Sequence, residues 1–385
     1  MRTKKVSSLS TGFALFSMFF GAGNITFPLM IGKSLGKGLF AALFGLILTS
    51  VCIPFAGLLS ITLYKGDYRD FFTRIGKTPG LIIILILLSI IGPFGGIPRC
   101  ITLTFSTLKV YFTQMELLPF TLSACALVFL FSWKKSKVID VIGNILAPLL
   151  VVLLGFIIVK GLVKAPLTHL PNTQESLNSF LYGLKEGYNT MDLMAAFFFS
   201  SLVYQKLRVK IGGSLEARSL LAPIFKASLV GAFLLSLIYI GFSYVASNYS
   251  YHLMETPIDQ LLGKIGQIIL GPYAGLIVCL SIALTCLTTA IALTVISAEF
   301  LQKEVFRSKV RYELSLLVVL VVTATVSSLQ FNGIVSILAP ILEVIYPSLL
   351  VLSIFNILHK LYDVNSIKVP VFATLLIVLY FQKII

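Results

Sequence analysis

Two short stretches of small and polar residues interrupt otherwise apolar parts of the chain. One is Gly21-Ala22-Gly23-Asn24, with Pro28 one turn later, and the other runs from Gly187 to Asp192. Each glycine weakens a helix by about 1 kcal/mol relative to alanine. An unwound helix exposes N–H groups with partial positive charge at one new end and carbonyls with partial negative charge at the other. Two adjacent breaks would therefore suit a zwitterion such as an amino acid, alone or with a metal cation.

The candidate substrate-binding residues lie in and beside these breaks. Glycine permits close backbone approach because it lacks Cβ, and aromatic residues after the second break could line a pocket for an aliphatic side chain. The predicted set is Gly21, Ala22, Gly23, Asn24, Tyr188, Asn189, Thr190 and Phe197. The neutral oxygens of Asn24 and Thr190 would also suit a hard cation such as Na⁺.

The composition identifies the environment of these breaks. Hydrophobic residues make up 57% of the chain and charged residues 12%, against about 25% charged in typical soluble domains. Long apolar runs without alternation indicate membrane-spanning helices rather than a barrel. The five cysteines fall in apolar segments without CxxC spacing, which does not favour a zinc site or a disulfide framework.

About eleven spans are predicted, with ends good to about 2–4 residues. They cover 9–32, 39–63, 81–108, 117–132, 138–160, 178–205, 220–246, 270–301, 312–329, 334–357 and 368–382. The first is expected to be an uncleaved span rather than a signal peptide. With the N-terminus in the cytoplasm, 20 of the 30 basic residues fall in cytoplasmic connections, as the positive-inside rule requires. The net charge of +15 therefore does not indicate a nucleic-acid partner.

The two interrupted spans are the first and the sixth, five spans apart and opposite in direction. This pattern is typical of an inverted-repeat transporter with its site at the broken helices. The fold expectation is an all-α polytopic protein with repeats at about 9–160 and 176–357 and an extra helix at about 368–382. The alternative is that the glycines only permit close helix packing.

Three ionisable residues inside spans are candidates for coupling or gating. Arg99 could be a gate or counter-ion, or could cap carbonyls freed near the prolines of its span. Asp192 could stabilise a helix N-terminus with Thr190 as N-cap, or could be a protonatable coupling group. Glu343 could make an inter-helix hydrogen bond or serve as a gate or proton site.

Four motifs in order resemble the bacterial branched-chain amino acid:cation symporter (LIVCS) family. They are Phe20–Pro28, Gly92–Arg99, Glu186–Asp192, and Cys286–Ala290 followed by Ser297-Ala298-Glu299. The resemblance implies uptake of leucine, isoleucine and valine across the bacterial cytoplasmic membrane, with Na⁺ as coupling ion. It also implies the 5+5 broken-helix fold of the amino acid–polyamine–organocation superfamily. Members of this family usually have twelve spans and a longer chain. The resemblance therefore does not predict the contacts that a last helix makes in this chain.

The resemblance also implies ligand sets. The backbone amides of Ala22 and Gly23 would hold the substrate carboxylate. One Na⁺ position would use the carbonyls of Ser17 and Phe20 with the hydroxyls of Thr288 and Thr289. A second position would use the Ala22 carbonyl with Asn24 and Thr190.

The expected function is secondary active symport, without a cofactor and with the lipid bilayer and an amino acid as partners. H⁺ coupling or a different amino acid substrate is the alternative within transport. A channel would call for pore-lining charge rings or repeated carbonyl loops. An enzyme would need a nucleophile–base pair, a metal cluster or a phosphate loop, and the sequence shows none of these patterns.

Overall fold

The computed structural model describes residues 8–36, 38–133, 147–165, 176–211, 217–271, 275–364 and 366–382. The described residues form helices and no strand, which confirms the predicted all-helical class. The helices are α1 (Ser8–Phe19), α2 (Ala22–Ser34), α3 (Leu39–Ile47), α4 (Ile53–Leu63), α5 (Tyr68–Thr73), α6 (Lys77–Ile91), α7 (Gly96–Lys109), α8 (Leu117–Ser132), α9 (Ala147–Val163), α10 (Ser176–Asn189), α11 (Asp192–Ile211), α12 (Ala217–Asn248), α13 (Ser250–Leu253), α14 (Leu261–Leu270), α15 (Gly275–Phe300), α16 (Tyr312–Val326), α17 (Gln330–Tyr362) and α18 (Lys368–Gln382).

Several of these helices are long and apolar enough to cross a membrane. Within the described residues there are five such stretches, and six if α1 and α2 count as one bent span. Three more apolar helices, α8, α9 and α18, are shorter. The figure of about eleven spans stays a prediction, and part of the predicted fifth span, 138–146, lies outside the described residues.

Both predicted helix breaks are present. The axes of α1 and α2 differ by 72° across the first break, where Gly21 is extended with φ −116° and ψ −159°. At the second break α10 ends at Asn189 and α11 begins at Asp192. Met191 between them has φ 63°, a left-handed conformation that is strained for a residue with a long side chain. Such strain persists only where the surrounding structure holds it.

The broken helices lie in the interior of the helix bundle. Residues 21–29 are all buried, as expected for a helix that is surrounded by other helices. Helix α12 packs along both α1 and α2, while α11 packs on α4 and α15 packs on α7. The helices packed around the first break thus come from distant parts of the chain.

Glycines bring two of these helices into backbone contact. A Cβ added to Gly183 of α10 would overlap the carbonyl oxygen of Ala42 in α3. A Cβ on Gly187, one turn later, would overlap the Thr49 hydroxyl. Small residues at helix interfaces allow this approach in membranes, and here they position the helix that leads into the second break.

This packing predicts opposite effects for two helical Gly→Ala substitutions. Gly183→Ala should lower the free energy of unfolding by about 1–3 kcal/mol, the usual cost of overpacking. Gly155→Ala in α9 is the matched control, because an added Cβ there meets no atom within 4 Å. It should be neutral or stabilise by up to about 1 kcal/mol. Thermal unfolding of the purified protein in detergent measures both, and equal shifts would contradict the packing described.

Candidate functional site at the two helix breaks

The side chain of Asn24 joins the two breaks. Its Oδ1 accepts a hydrogen bond from the Gly21 backbone N–H at 2.9 Å, within the first break. Its Nδ2 donates to Asp192 Oδ2 at 2.6 Å, at the start of α11, and also to the Tyr239 hydroxyl of α12. Tyr239 donates in turn to Asp192 Oδ2 at 3.3 Å. This buried network fixes both breaks and α12 to one another.

Arg99 forms a hydrogen bond with the last residue of α10. The side chain is 1% exposed, and its Nη1 donates to the Asn189 carbonyl oxygen at 2.9 Å. The guanidinium also lies over the rings of Phe27 and Phe331, with Cζ 5.3 and 5.5 Å from their centroids. The bonded carbonyl therefore belongs to the second break, which corrects the expectation that Arg99 caps carbonyls near the prolines of its own span. The Pro98 carbonyl already accepts from Thr102.

Two threonine hydroxyls of α15 face the carbonyls that end α1. Thr288 Oγ1 lies 3.1 Å from the Ser17 carbonyl oxygen. Thr289 Oγ1 lies 3.1 Å from the carbonyl oxygen of Phe20, 3.3 Å from that of Met18 and 3.5 Å from that of Ser17. The structure thus brings together all four residues of the first predicted Na⁺ position and adds the Met18 carbonyl.

The chemistry of this cluster fits a Na⁺ ion. All its potential metal ligands are neutral oxygens, the ligands that hard cations prefer. The Ser17 hydroxyl is buried beside them without a hydrogen-bond partner in the described structure. Gly21 permits the approach of α15, because a Cβ there would lie 2.9 Å from Thr289 Cγ2.

The oxygens of the second predicted Na⁺ position are already bonded within the protein. The Ala22 carbonyl accepts from the Thr26 hydroxyl at 2.7 Å, and Asn24 Oδ1 accepts from Gly21. The Thr190 hydroxyl donates to the Gly187 carbonyl at 2.8 Å. These partners lie outside the predicted ligand set, and the second position stays a prediction.

The expectation that Thr190 is the N-cap of α11 is wrong. Helix α11 begins at Asp192, so Met191 occupies the cap position. Thr190 instead bonds the last turn of α10. The positive φ of Met191 is the physical reason, because it redirects the chain between Thr190 and α11.

A small internal cavity lies where the breaks meet. Its volume is about 30 Å³, which is enough for only a few water molecules. Ligand pockets usually measure about 300–1,000 Å³, so a branched-chain amino acid enters only after helices move apart. Predicted site residues in the lining are Gly21, Ala22, Gly23, Asn24, Arg99, Thr190, Asp192 and Thr289.

Two residues of the predicted substrate set lie beside the cavity rather than in its lining. The ring of Tyr188 stacks on Tyr346 with centroids 4.5 Å apart. Asn189 contributes its carbonyl to Arg99, while its Nδ2 donates to Glu186 Oε2 at 3.1 Å. Both residues therefore shape the end of α10.

Phe197 and Glu343 lie away from the cavity. Phe197 is buried between the rings of Phe71 and Phe72, with centroids 5.2 and 5.3 Å away. Glu343 Oε2 lies 3.5 Å from Lys185 Nζ, in a partly exposed ion pair between α17 and α10. The inter-helix contact expected of Glu343 is thus present as an ion pair.

Tyr239 is the main site residue that sequence reasoning did not select. It is fully buried, and its hydroxyl contacts both Asn24 and Asp192. Nothing near it in the chain marks it, because it lies within an ordinary apolar span. Only the packing of α12 against α2 brings it to the breaks.

Comparison with known proteins identifies the family of the chain. The model of the family described as "Branched-chain amino acid transport protein" matches residues 4–383. The chain belongs to this family. It is therefore a multi-pass membrane transporter and not an enzyme.

Curated members of the branched-chain amino acid transport protein family align over nearly the whole chain. The branched-chain amino acid permease BrnQ of Bacillus subtilis (strain 168) is 29% identical over 375 residues, covering 94% of this chain and 83% of the permease. The branched-chain amino acid permease BraB of the same organism is 27% identical over 367 residues, covering 91% and 80%.

Solved transporters share the fold of this family member. Mhp1, a nucleobase-cation-symport-1 family transporter in a closed conformation with bromovinylhydantoin bound, superposes with a TM-score of 0.67 at 11% identity, covering 99% of this chain and 93% of Mhp1. MhsT in complex with L-phenylalanine superposes with a TM-score of 0.62 at 14% identity, covering 97% and 100%. At such low identity the likeness shows the fold alone.

The Asn24–Asp192–Tyr239 network makes Tyr239→Phe informative. Loss of the hydroxyl should cost about 1–3 kcal/mol of unfolding free energy, because buried polar partners lose a hydrogen bond. It should also weaken substrate binding, because Asn24 and Asp192 line the cavity. Thermal unfolding and equilibrium binding of labelled leucine would measure the two effects.

Tyr249→Phe serves as the matched control for Tyr239→Phe. Its hydroxyl also donates within the protein, to the Gly161 carbonyl at 3.3 Å, and neither residue lines the cavity. Substrate affinity should stay unchanged in this variant. Equal loss of affinity in both variants would contradict a special role for the network.

Proposed function

We propose that this transporter imports leucine, isoleucine and valine into bacteria by Na⁺-coupled alternating access. One observation carries the proposal: two helix breaks meet at a buried cavity, and a cluster of carbonyl and threonine oxygens lies against one of them. Membership of the family and the names of its curated relatives support the substrate class.

The substrate would lie between the breaks, in an enlarged form of the present cavity. The N–H groups at the start of α2 suit a carboxylate. Apolar lining residues such as Ile91, Ala195 and Leu293 suit an aliphatic side chain. One methylene in such a pocket is worth only about 1–3 kcal/mol, so selectivity among the three branched side chains should be weak.

The topology that we propose is an inverted repeat with the N-terminus in the cytoplasm. The breaks occur in the first and the sixth predicted spans, as expected for two five-helix halves. The concentration of basic residues in alternate connections supports the orientation. The shared fold with Mhp1 and MhsT supports the architecture.

Coupling would follow from the position of the cation cluster. Ser17, Met18 and Phe20 supply carbonyls at the end of α1, two residues before the start of α2. A bound Na⁺ would hold this end against α15 and so favour the arrangement of the first break that binds substrate. A cation couples to substrate only through such a difference in affinity between conformations.

Asp192 makes H⁺ coupling the second candidate. The side chain is 2% exposed, and its Oδ2 accepts hydrogen bonds from Asn24 and Tyr239. Intramembrane carboxylates often serve as proton relays. Protonation would weaken the attraction between Asp192 and its donors, and so loosen the contact between the breaks.

Purified protein in liposomes separates these candidates. With an inward Na⁺ gradient and no H⁺ gradient, labelled leucine should accumulate, and unlabelled isoleucine and valine should compete. Accumulation driven by H⁺ but not by Na⁺ would overturn the Na⁺ assignment and favour Asp192. Accumulation under neither gradient, in protein shown to be folded, would overturn symport itself.

Thr289→Val tests the cation cluster directly. The substitution keeps the volume and removes the hydroxyl that faces the Met18 and Phe20 carbonyls. The Na⁺ concentration for half-maximal leucine uptake should rise at least about tenfold, since even an outer-shell change commonly costs this much. Uptake measured over a Na⁺ titration gives the value.

Thr285→Val is the matched control for Thr289→Val. Thr285 is buried on the same helix, and its hydroxyl donates to the Ser281 carbonyl at 2.7 Å rather than toward α1. Its Na⁺ dependence should match that of the wild type. Equal Na⁺ dependence in Thr289→Val and Thr285→Val would remove the support for the cluster as a cation site.

A further inference from the structure

The guanidinium of Arg99 has one edge without partners. Nη1 donates to the Asn189 carbonyl, whereas Nε and Nη2 are buried and make no hydrogen bond in the described structure. Buried polar groups are almost always bonded, so such an exception calls for an explanation. Leaving a buried group without hydrogen bonds costs more free energy when the group is charged and lies within a membrane protein.

The free edge has the geometry that a carboxylate requires. The Nε–H and one Nη2–H of an arginine point in parallel from the same side of the guanidinium plane. Two parallel donors match the two oxygens of a carboxylate, which is the strong bidentate form of this pair. An ammonium could not replace this fork.

The free edge also lies at the first break. A Cβ built on Gly23 would be 3.3 Å from Arg99 Nη2, so the absence of a side chain at Gly23 leaves the guanidinium next to the backbone of the break. Arg99, Gly23 and the start of α2 all line the same cavity. A carboxylate there would meet both the guanidinium and the N-terminal N–H groups of α2.

The acidic residue in the cavity lining is Asp192, and it already has hydrogen-bond partners. Its Oδ2 accepts from Asn24 and Tyr239. Among the ion pairs found within 4.0 Å in the described residues, none joins Arg99 to Asp192. The free edge of Arg99 is therefore not occupied by Asp192.

We propose that Arg99 binds the α-carboxylate of the transported amino acid through Nε and Nη2. The inference rests on the proposed function and deepens it, because it makes a side chain of α7 the principal anchor of the substrate. The site then selects for a free carboxylate as well as for an aliphatic side chain. Arg99 holds substrate and the second break together, since its Nη1 stays on the Asn189 carbonyl.

The test compares L-leucine with L-leucinamide, which has nearly the same shape and lacks the negative charge. Equilibrium binding to the purified full chain is measured by competition with labelled leucine. The wild type should prefer leucine to leucinamide by at least about thirtyfold, the scale of one buried charged hydrogen-bonded pair. In Arg99→Gln, affinity for leucine should fall by a similar factor and affinity for leucinamide by less than about threefold.

Two further variants keep the test decisive. Arg99→Lys retains the charge without the fork, so its preference for leucine should be intermediate, and it carries the comparison if Arg99→Gln does not fold. Thr102→Val is the control on the same helix: it removes a buried hydroxyl that bonds the Pro98 carbonyl. Its ratio of leucine to leucinamide affinity should equal that of the wild type.

The outcomes separate this inference from the proposed function. Wild-type protein that binds leucine and leucinamide equally would overturn the role of Arg99 whatever the variants do. Equal loss of both ligands in Arg99→Gln would also overturn it, and would limit Arg99 to closing the end of α10. A folded wild type that binds no branched-chain amino acid would instead overturn the proposed function.

Discussion

Every backbone group that a helix break exposes inside a membrane must find a partner in the protein, because lipid offers none. In this transporter the two breaks share their partners. Asn24 accepts a hydrogen bond from the Gly21 N–H in its own break and donates one to Asp192 at the other break. Arg99 donates to the carbonyl of Asn189 and lies beside Gly23. Separating the breaks would therefore cost the buried hydrogen bond between Asn24 and Asp192.

The same sharing explains where the ionisable groups lie. Arg99 and Asp192 are nearly inaccessible, which is costly in a membrane unless other groups stabilise the charges. Asp192 has two donors, whereas Arg99 has one carbonyl and two aromatic rings. Arg99 thus keeps two unbonded nitrogens beside the start of α2.

Closure around the breaks depends on aromatic packing. Phe19 lines the cavity and packs against Phe55 and Phe199, with centroids 5.2 and 5.3 Å away. Tyr188 and Tyr346 stack at the end of α10, and the Tyr346 hydroxyl donates to the Thr49 carbonyl at 2.6 Å. A cavity of about 30 Å³ is compatible with substrate only if some of these contacts separate. Opening the site would therefore separate ring contacts as well as buried hydrogen bonds such as that of Tyr346 to Thr49.

The sequence by itself determined the helical membrane class and both breaks, because glycine content and apolar length are local properties of the chain. The expectation that Thr288 and Thr289 face Ser17 and Phe20 came from the resemblance to the family. The sequence did not determine Tyr239, the Met18 carbonyl, the partner of Arg99 or the displacement of Phe197 from the cavity. Each of these depends on which helix packs against which, at separations such as 215 residues between Asn24 and Tyr239. Tertiary structure alone decided them, because side-chain direction at a helix break is set by the neighbouring helices and by the backbone turn at Met191, and neither is encoded in local periodicity.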